Sequence, residues 1–257
     1  MRRSLPAVTL AIALLAGVAG CREKGPPPGV GRTAAEDGTD PEIEQQLQPP
    51  AAVAAREGLA AAIVIDVSGS MRDNVTGPDG RREPKIETAR RAAHELVEQF
   101  ARYAEERPDE PVLMGLYEFS HRSGQPACRP IIPMGPPDRT RAASAIAGLR
   151  ADGGTPIGDA MIAAKRELDK TGLTRRHLLV VTDGENTSGP RPDRVTSAIG
   201  RRPEAERPSI YFVAFDIEAS RFDAVRDSGG LVLGAANARE LNETLDTLLR
   251  GKILLER

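Results

Sequence analysis

This chain has little aromatic character. Tryptophan is absent, and three tyrosines and five phenylalanines make up 3% of its 257 residues. A core at this length must therefore be filled by Ala, Val, Ile and Leu. Histidine is nearly missing too, with only His94, His121 and His177. That weakens a serine hydrolase, because His94 falls mid-helix, His177 opens a strand at the far end of the sheet, and His121 belongs to a polar loop. No Gly-x-Ser-x-Gly surrounds Ser68. A phosphate-cradling Gly-x-x-x-x-Gly-Lys loop is also lacking. A phosphatase with Asp66 as nucleophile wants a second acid where Ser68 stands. Charge of either sign is not in excess: the formal net charge is −2, and the arginines alternate with acids. Nucleic acid is thereby excluded as the expected partner.

Cysteine is equally sparse, with only Cys21 and Cys128. Cys21 closes a segment that reads as an address. Arg2-Arg3 is a basic start, Leu5 to Val18 is an apolar run too short and too alanine-rich to span a bilayer, and Val18-Ala19-Gly20-Cys21 follows. That pattern resembles the bacterial lipobox, which implies lipidation of Cys21 as the mature N-terminus and stable anchoring by several acyl chains. The competing readings are an ordinary signal peptide with a chance cysteine, or a Cys21–Cys128 disulfide that would exclude the anchor. Cys128 is expected to be an inert, partly buried thiol.

The expected organisation is a signal peptide over 1–20, a Pro/Gly-rich flexible tether over 21–57, and one domain over 58–257. Pro26-Pro27-Pro28, Pro41 and Pro49-Pro50 interrupt the tether, leaving Glu42 to Gln48 room for a transient helical turn or two. As a coil, residues 22–57 would span on the order of 30–35 Å.

Within the domain, sequence periods alternate. Leu59 to Ile65 is a continuous apolar run, as in a strand buried on both faces. Ile86, Ala89, Ala93, Leu96, Val97 and Phe100 recur at helical spacing after a polar loop, Arg72 to Glu83. Strands are expected at Val112–Phe119, Cys128–Met134, His177–Thr182, Ile210–Phe215 and Leu231–Leu233. Helices are expected at Asp138–Leu149, Pro156–Thr171 and Phe222–Asp227, with a closing helix lined by Leu241, Leu245, Leu248 and Leu249. This alternation predicts an α/β, doubly wound, mostly parallel six-stranded sheet. Helices cover both faces, and the Cys128–Met134 strand is antiparallel at one edge.

The residues that carry chemistry sit at strand ends. Asp66-Val67-Ser68-Gly69-Ser70 follows the first strand, Gly153-Gly154-Thr155-Pro156 precedes a helix, and Thr182-Asp183-Gly184 ends another strand. Asp66, Ser68, Ser70, Thr155 and Asp183 together supply five oxygen donors that suit a hard divalent ion. In an open parallel sheet such strand ends meet at the carboxyl edge, where strand order reverses. Two acids there without a cation would repel and raise each other's pKa. Taken singly, each motif has a plain reading. The first is a turn, and the second is a helix start with Thr155 as cap and Pro156 at the first helical position. Asp159 reads as a first-turn acid or as an orienter of water, Glu185 and Asn186 as rim, and Met71 as packing. Arg81-Arg82 and Arg201-Arg202 read as solvated loop charges.

Together these motifs resemble the metal ion-dependent adhesion site of von Willebrand factor type A domains, over about Gly58 to Arg250. The resemblance implies a Rossmann-like fold holding Mg2+ (or Mn2+ or Ca2+). Ser68 and Ser70 would be direct ligands, Thr155 direct or water-mediated, and Asp66 and Asp183 would act largely through water. Neutral direct ligands leave such an ion electrophilic, so the implied partner is a protein with an acidic side chain rather than a small-molecule substrate. The expected function is cation-dependent protein binding by a lipid-anchored envelope protein, not catalysis. Arg22 after Cys21 favours the outer membrane if the cell is Gram-negative. The alternatives are a scaffold module with a purely structural metal and a metal-dependent hydrolase.

Overall fold

A computed structural model of the chain describes residues 40–50 and 53–255. The first strand, β1 (Arg56–Asp66), is buried from Gly58 onward, and its side chains divide between two cores. Leu59, Ala61, Ile63 and Ile65 face one core, while Ala60, Ala62 and Val64 face the other. This two-sided burial is why the run lacks polar residues. A short hairpin of β2 (Asn74–Thr76) and β3 (Arg82–Pro84) follows, folding part of the expected polar loop. The chain continues through α2 (Lys85–Glu105), β4 (Val112–Phe119), β5 (Cys128–Gly135), α3 (Arg139–Ala147), α4 (Ile157–Thr171), β6 (Leu173–Thr182), α5 (Pro192–Gly200), β7 (Ser209–Phe215), α6 (Asp223–Asp227), β8 (Leu231–Ala235) and α7 (Ala238–Leu248).

The main sheet has six strands in the order β5-β4-β1-β6-β7-β8. All neighbours are parallel except β4 and β5, which pair antiparallel at the edge. The expected α/β doubly wound architecture is what the chain adopts. Helices α2, α3 and α7 cover one face. The other is covered by α4, α5, α6 and a helix that precedes the sheet, α1 (Asp40–Gln46). From β1 the chain crosses to β4 on one side and later to β6 on the other, so strand order reverses beside β1. Asp66 pairs with Phe119 at the carboxyl end of β1, and Ile65 pairs with Val181 in β6. Thr182 and Asp183 therefore finish level with Asp66, which is how sheet register delivers two carboxylates to one crevice.

Three expectations need correction. Residues 40–50, read as tether, are packed: Ile43 and Leu47 are fully buried in the α4–α5 core. The fully buried ammonium of Lys165 donates to the Leu47 carbonyl at 2.8 Å. Two buried aliphatic side chains contribute about 1.5–3 kcal/mol each, enough to hold a two-turn helix that would be marginal alone. His177 does not open its strand but stands fifth in β6, whose amino end reaches back to Leu173. Helix α5 was not expected, although Pro192 occupies its first turn and Val195, Ala198 and Ile199 are buried. Among the described residues no helix is long and apolar enough to cross a membrane. The expected signal peptide, Cys21 and most of the tether lie outside them.

Candidate metal centre

The turn after β1 is laced to the loop before α4. Gly69 donates its amide to the Gly153 carbonyl at 2.9 Å, and Asp152 donates to Val67 at 2.7 Å. Gly153 makes this possible: its φ is 86°, and a Cβ there would collide with the His121 carbonyl. His121 and Gly154 exchange both backbone hydrogen bonds, at 2.9 and 3.1 Å. His121 is thus a backbone anchor for the loop that carries Thr155.

Asp66 is fully buried. Its Oδ1 accepts the Ser68 amide at 2.7 Å and its Oδ2 accepts the Thr182 hydroxyl at 2.6 Å. Both oxygens are therefore engaged in holding the two strand ends together. Ser68 Oγ lies 3.1 Å from Ser70 Oγ, and Ser70 donates to Asp183 Oδ1 at 2.8 Å. Thr155 approaches from the other side: a Cβ built on Gly184 would sit 3.6 Å from Thr155 Oγ1 and 3.8 Å from Ser70 Oγ. Hydrogen bonds link Asp66 to Ser68 and Ser70 to Asp183, the two serine oxygens are adjacent, and Thr155 lies beside Gly184, so the five residues singled out in the sequence gather at one place. Ser68, Thr155 and Asp183 are buried there, and Ser70 is half-buried.

The donor set fits a small hard cation. Adjacent ligands of an octahedral ion with bonds near 2.0–2.1 Å lie about 2.9 Å apart, close to the 3.1 Å between the two serine oxygens. The same spacing also suits an ordinary hydroxyl–hydroxyl bond, so electrostatics must decide. Burial, reinforced by the charge of Asp183, pushes the Asp66 carboxyl up to about 7. A fully buried acid facing a second acid gains most from a nearby dication. The hydroxyls and carboxylates could hold magnesium or manganese, with Ser68, Ser70 and Thr155 as neutral donors.

Two charged residues at the site escaped the sequence reading, Lys85 and Asp216. Lys85, at the first position of α2, places Nζ 3.0 Å from Asp183 Oδ2 and 2.9 Å from Asp216 Oδ2. Burial works against its charge, but the Asp216 hydrogen bond and Asp183 outweigh this and raise its pKa. Three carboxylates and one ammonium leave −2 when all are ionised, which one dication would balance. The only sequence signal for Lys85 was its place at a helix start, where a cation is disfavoured by the helix dipole.

The neighbours sort themselves by contact. Asn186, expected at the rim, caps α4: its Oδ1 accepts the Ile157 amide at 2.8 Å, and the cap position belongs to Pro156 rather than Thr155. Glu185 faces outward and pairs with Arg221 at 3.1 Å. Met71 is core, at 1% exposure. Arg201 and Arg202, expected as solvated, pair with Glu44 and Glu206 at 2.9 and 2.7 Å. Cys128 is a free thiol whose pKa burial pushes up to about 12, so it holds its proton at neutral pH.

Residues 61–185 match the family described as von Willebrand factor type A domain. That span is narrower than Gly58 to Arg250 and includes all five constellation residues. No curated protein matches the chain. Among solved structures, the PilB minor pilin from Streptococcus sanguinis superposes with a TM-score of 0.58 at 13% identity, over 79% of this chain and 63% of the pilin. A von Willebrand factor type A structure from Catenulispora acidiphila gives 0.56 at 20% identity, over 75% of this chain and 42% of that one. The pilus adhesin SpaC from Lactobacillus rhamnosus GG gives 0.60 at 12% identity, over 77% of this chain and 30% of the adhesin. This chain thus spans less than two thirds of each of these relatives. At such identities the likeness establishes the shared fold.

Proposed function

We propose that this chain carries a von Willebrand factor type A domain and binds a protein partner through a divalent cation held by Ser68, Ser70 and Thr155, with Asp66 and Asp183 behind them. The observation that supports this most is the unbroken run from Ser68 Oγ to Ser70 Oγ to Asp183 Oδ1, at 3.1 and 2.8 Å. When bound, the ion supplies Lewis acidity toward an incoming carboxylate. The chain's own residues do the rest: Asp66 fixes the turn, Thr182 ties it to β6, and the buried Ser68 and half-buried Ser70 supply neutral oxygens. Solved relatives described as a minor pilin and a pilus adhesin make binding the reading to test first. Magnesium is favoured by the all-oxygen set, with manganese as its nearest substitute.

The anchoring half of the proposal rests on the sequence alone. Lipidated Cys21 would tether the domain to an envelope membrane, the outer one in a Gram-negative cell. Labelling with a clickable palmitate analogue should mark wild type and not Cys21→Ser. Label retained in the variant would remove the anchor.

Partner binding is tested by pull-down from envelope extracts in magnesium and in EDTA, comparing wild type with Ser68→Ala/Ser70→Ala. Capture should require magnesium and be lost in the double variant. Capture unchanged by EDTA, with a melting temperature that still falls on chelation, would make the metal purely structural. Magnesium-dependent hydrolysis of an ester or phosphate, lost in the same variant, would instead make the site catalytic.

A further inference from the structure

Lys85 stands where a dication site ordinarily wants negative charge. Its side chain is 8% exposed, and its ammonium bridges the second oxygen of Asp183 to Asp216. The first oxygen of Asp183 faces Ser70. One carboxylate thus serves a fixed cation with one oxygen and the candidate ion site with the other. Helix stability does not explain the placement, because the amino end of α2 already carries partial positive charge. Asp216 is equally particular. It is the only described non-glycine residue with a left-handed backbone, φ 54°, and its amide is held by the Ala235 carbonyl at 2.7 Å. Aspartate tolerates that region better than most residues.

We propose that Lys85 is a positioning residue that tunes the metal site: it holds Asp183 in place and competes with the dication for that carboxylate. The inference rests on reading the site as a metal centre. Two consequences follow from charge. The ammonium draws electron density from Asp183 and repels a dication, so it lowers metal affinity. An ion bound against that opposition is less neutralised by its own ligands and keeps more attraction for a partner's acid. Asp216 shares the ammonium, draws its charge away from Asp183, and so limits the competition.

For Lys85→Met a merely structural bracket makes the opposite expectation, since cutting it would loosen Asp183 and weaken binding. The test is calorimetric titration of Mg2+ into the metal-stripped full chain, in detergent, for wild type, Lys85→Met and Asp216→Asn. Asparagine suits a left-handed backbone, so the second variant should keep its fold. Lys85→Met should bind Mg2+ more tightly, on the order of tenfold, the scale of one charge facing a dication across a carboxylate. Asp216→Asn should bind more weakly, because Lys85 is then left to Asp183 alone. A folded Lys85→Met that binds equally or more weakly overturns the proposal. Where Lys85→Met does not fold, unchanged or tighter binding by Asp216→Asn overturns it. A wild type that gives no heat fails at the earlier step, removing the metal reading and this inference with it.

Discussion

Gly153 and His177 carry opposite kinds of constraint. Gly153 is needed for its backbone, since a side chain would meet the His121 carbonyl and strain a φ of 86°. Gly153→Ala should cost about 1–3 kcal/mol by urea unfolding. It should also displace Thr155, so the loss of any magnesium-induced rise in melting temperature should exceed that in a core variant of equal stability. His177 is needed for its neutral ring. It is fully buried and stacks on Tyr211 at 5.9 Å between centroids. Burial, with the charge of Arg175, lowers its pKa from 6.5 to about 4. The unfolded chain therefore takes up a proton that the folded one refuses. Stability from this residue is complete above about pH 6.5 and is lost as pH falls towards 4, by about 2 kcal/mol between pH 7 and 5. Because Asp66 takes up a proton in the fold over the same range, the loss should be read as a difference: from pH 7 to pH 5 wild type should lose about 2 kcal/mol of unfolding free energy relative to His177→Gln. An equal loss in both would place the titration elsewhere. At this scale the five oxygen residues were legible because they fall in three short turn motifs, Asp66 to Ser70, Gly153 to Pro156 and Thr182 to Gly184. Lys85 was not, because its partner Asp183 is 98 residues away, and local sequence cannot show a pairing that only the closed sheet creates.

Among the elements, α1 departs furthest from its sequence. Its prolines and charges suggest a coil, and only Ile43 and Leu47 argue otherwise. Both are fully buried. The deciding partner is Lys165, whose ammonium reaches the Leu47 carbonyl and Asp169 Oδ2 at 2.8 and 2.7 Å, with Arg176 on the other Asp169 oxygen at 3.2 Å. A buried lysine on a helix face reads as a surface residue until something covers it. Leu47→Ala should therefore cost about 2–5 kcal/mol, where a tether residue would cost nothing measurable by thermal melting. Helix α5 was legible in principle: Pro192 at its start and buried Val195 and Ile199 four apart form a short amphipathic pattern. The six strands of the main sheet were visible from the outset. In β1 up to Ile65, in β7 and in the carboxyl half of β6, the runs buried on both faces have no charged positions, and that signal survives without tertiary context. The partly buried edge strands β5 and β8 gave only short apolar runs.

For the whole molecule, the strand order turns separate motifs into a site. Because the chain leaves β1 in one direction for β4 and the other for β6, the ends of β1 and β6 lie side by side and the loop before α4 closes over them. Sequence carried this far because alternating strands and helices admit few handed topologies. The charge arrangement adds a global expectation. A crevice with two facing acids and one bridging ammonium should be less stable without a counter-ion. Magnesium at one hundred times its dissociation constant should therefore raise stability by about 2.7 kcal/mol. Asp66→Asn, which removes one of the repelling charges, should raise the metal-free melting temperature while abolishing the magnesium-dependent increment. A variant that still responds to magnesium would show that Asp66 takes no part in the site.

The most direct measurement is a crystal of the domain grown with Mn2+, with diffraction recorded to give anomalous differences from manganese. The account expects one strong peak in contact with Ser68 Oγ and Ser70 Oγ and facing Thr155. A map with no peak there, or with manganese held only by surface carboxylates elsewhere, would contradict it.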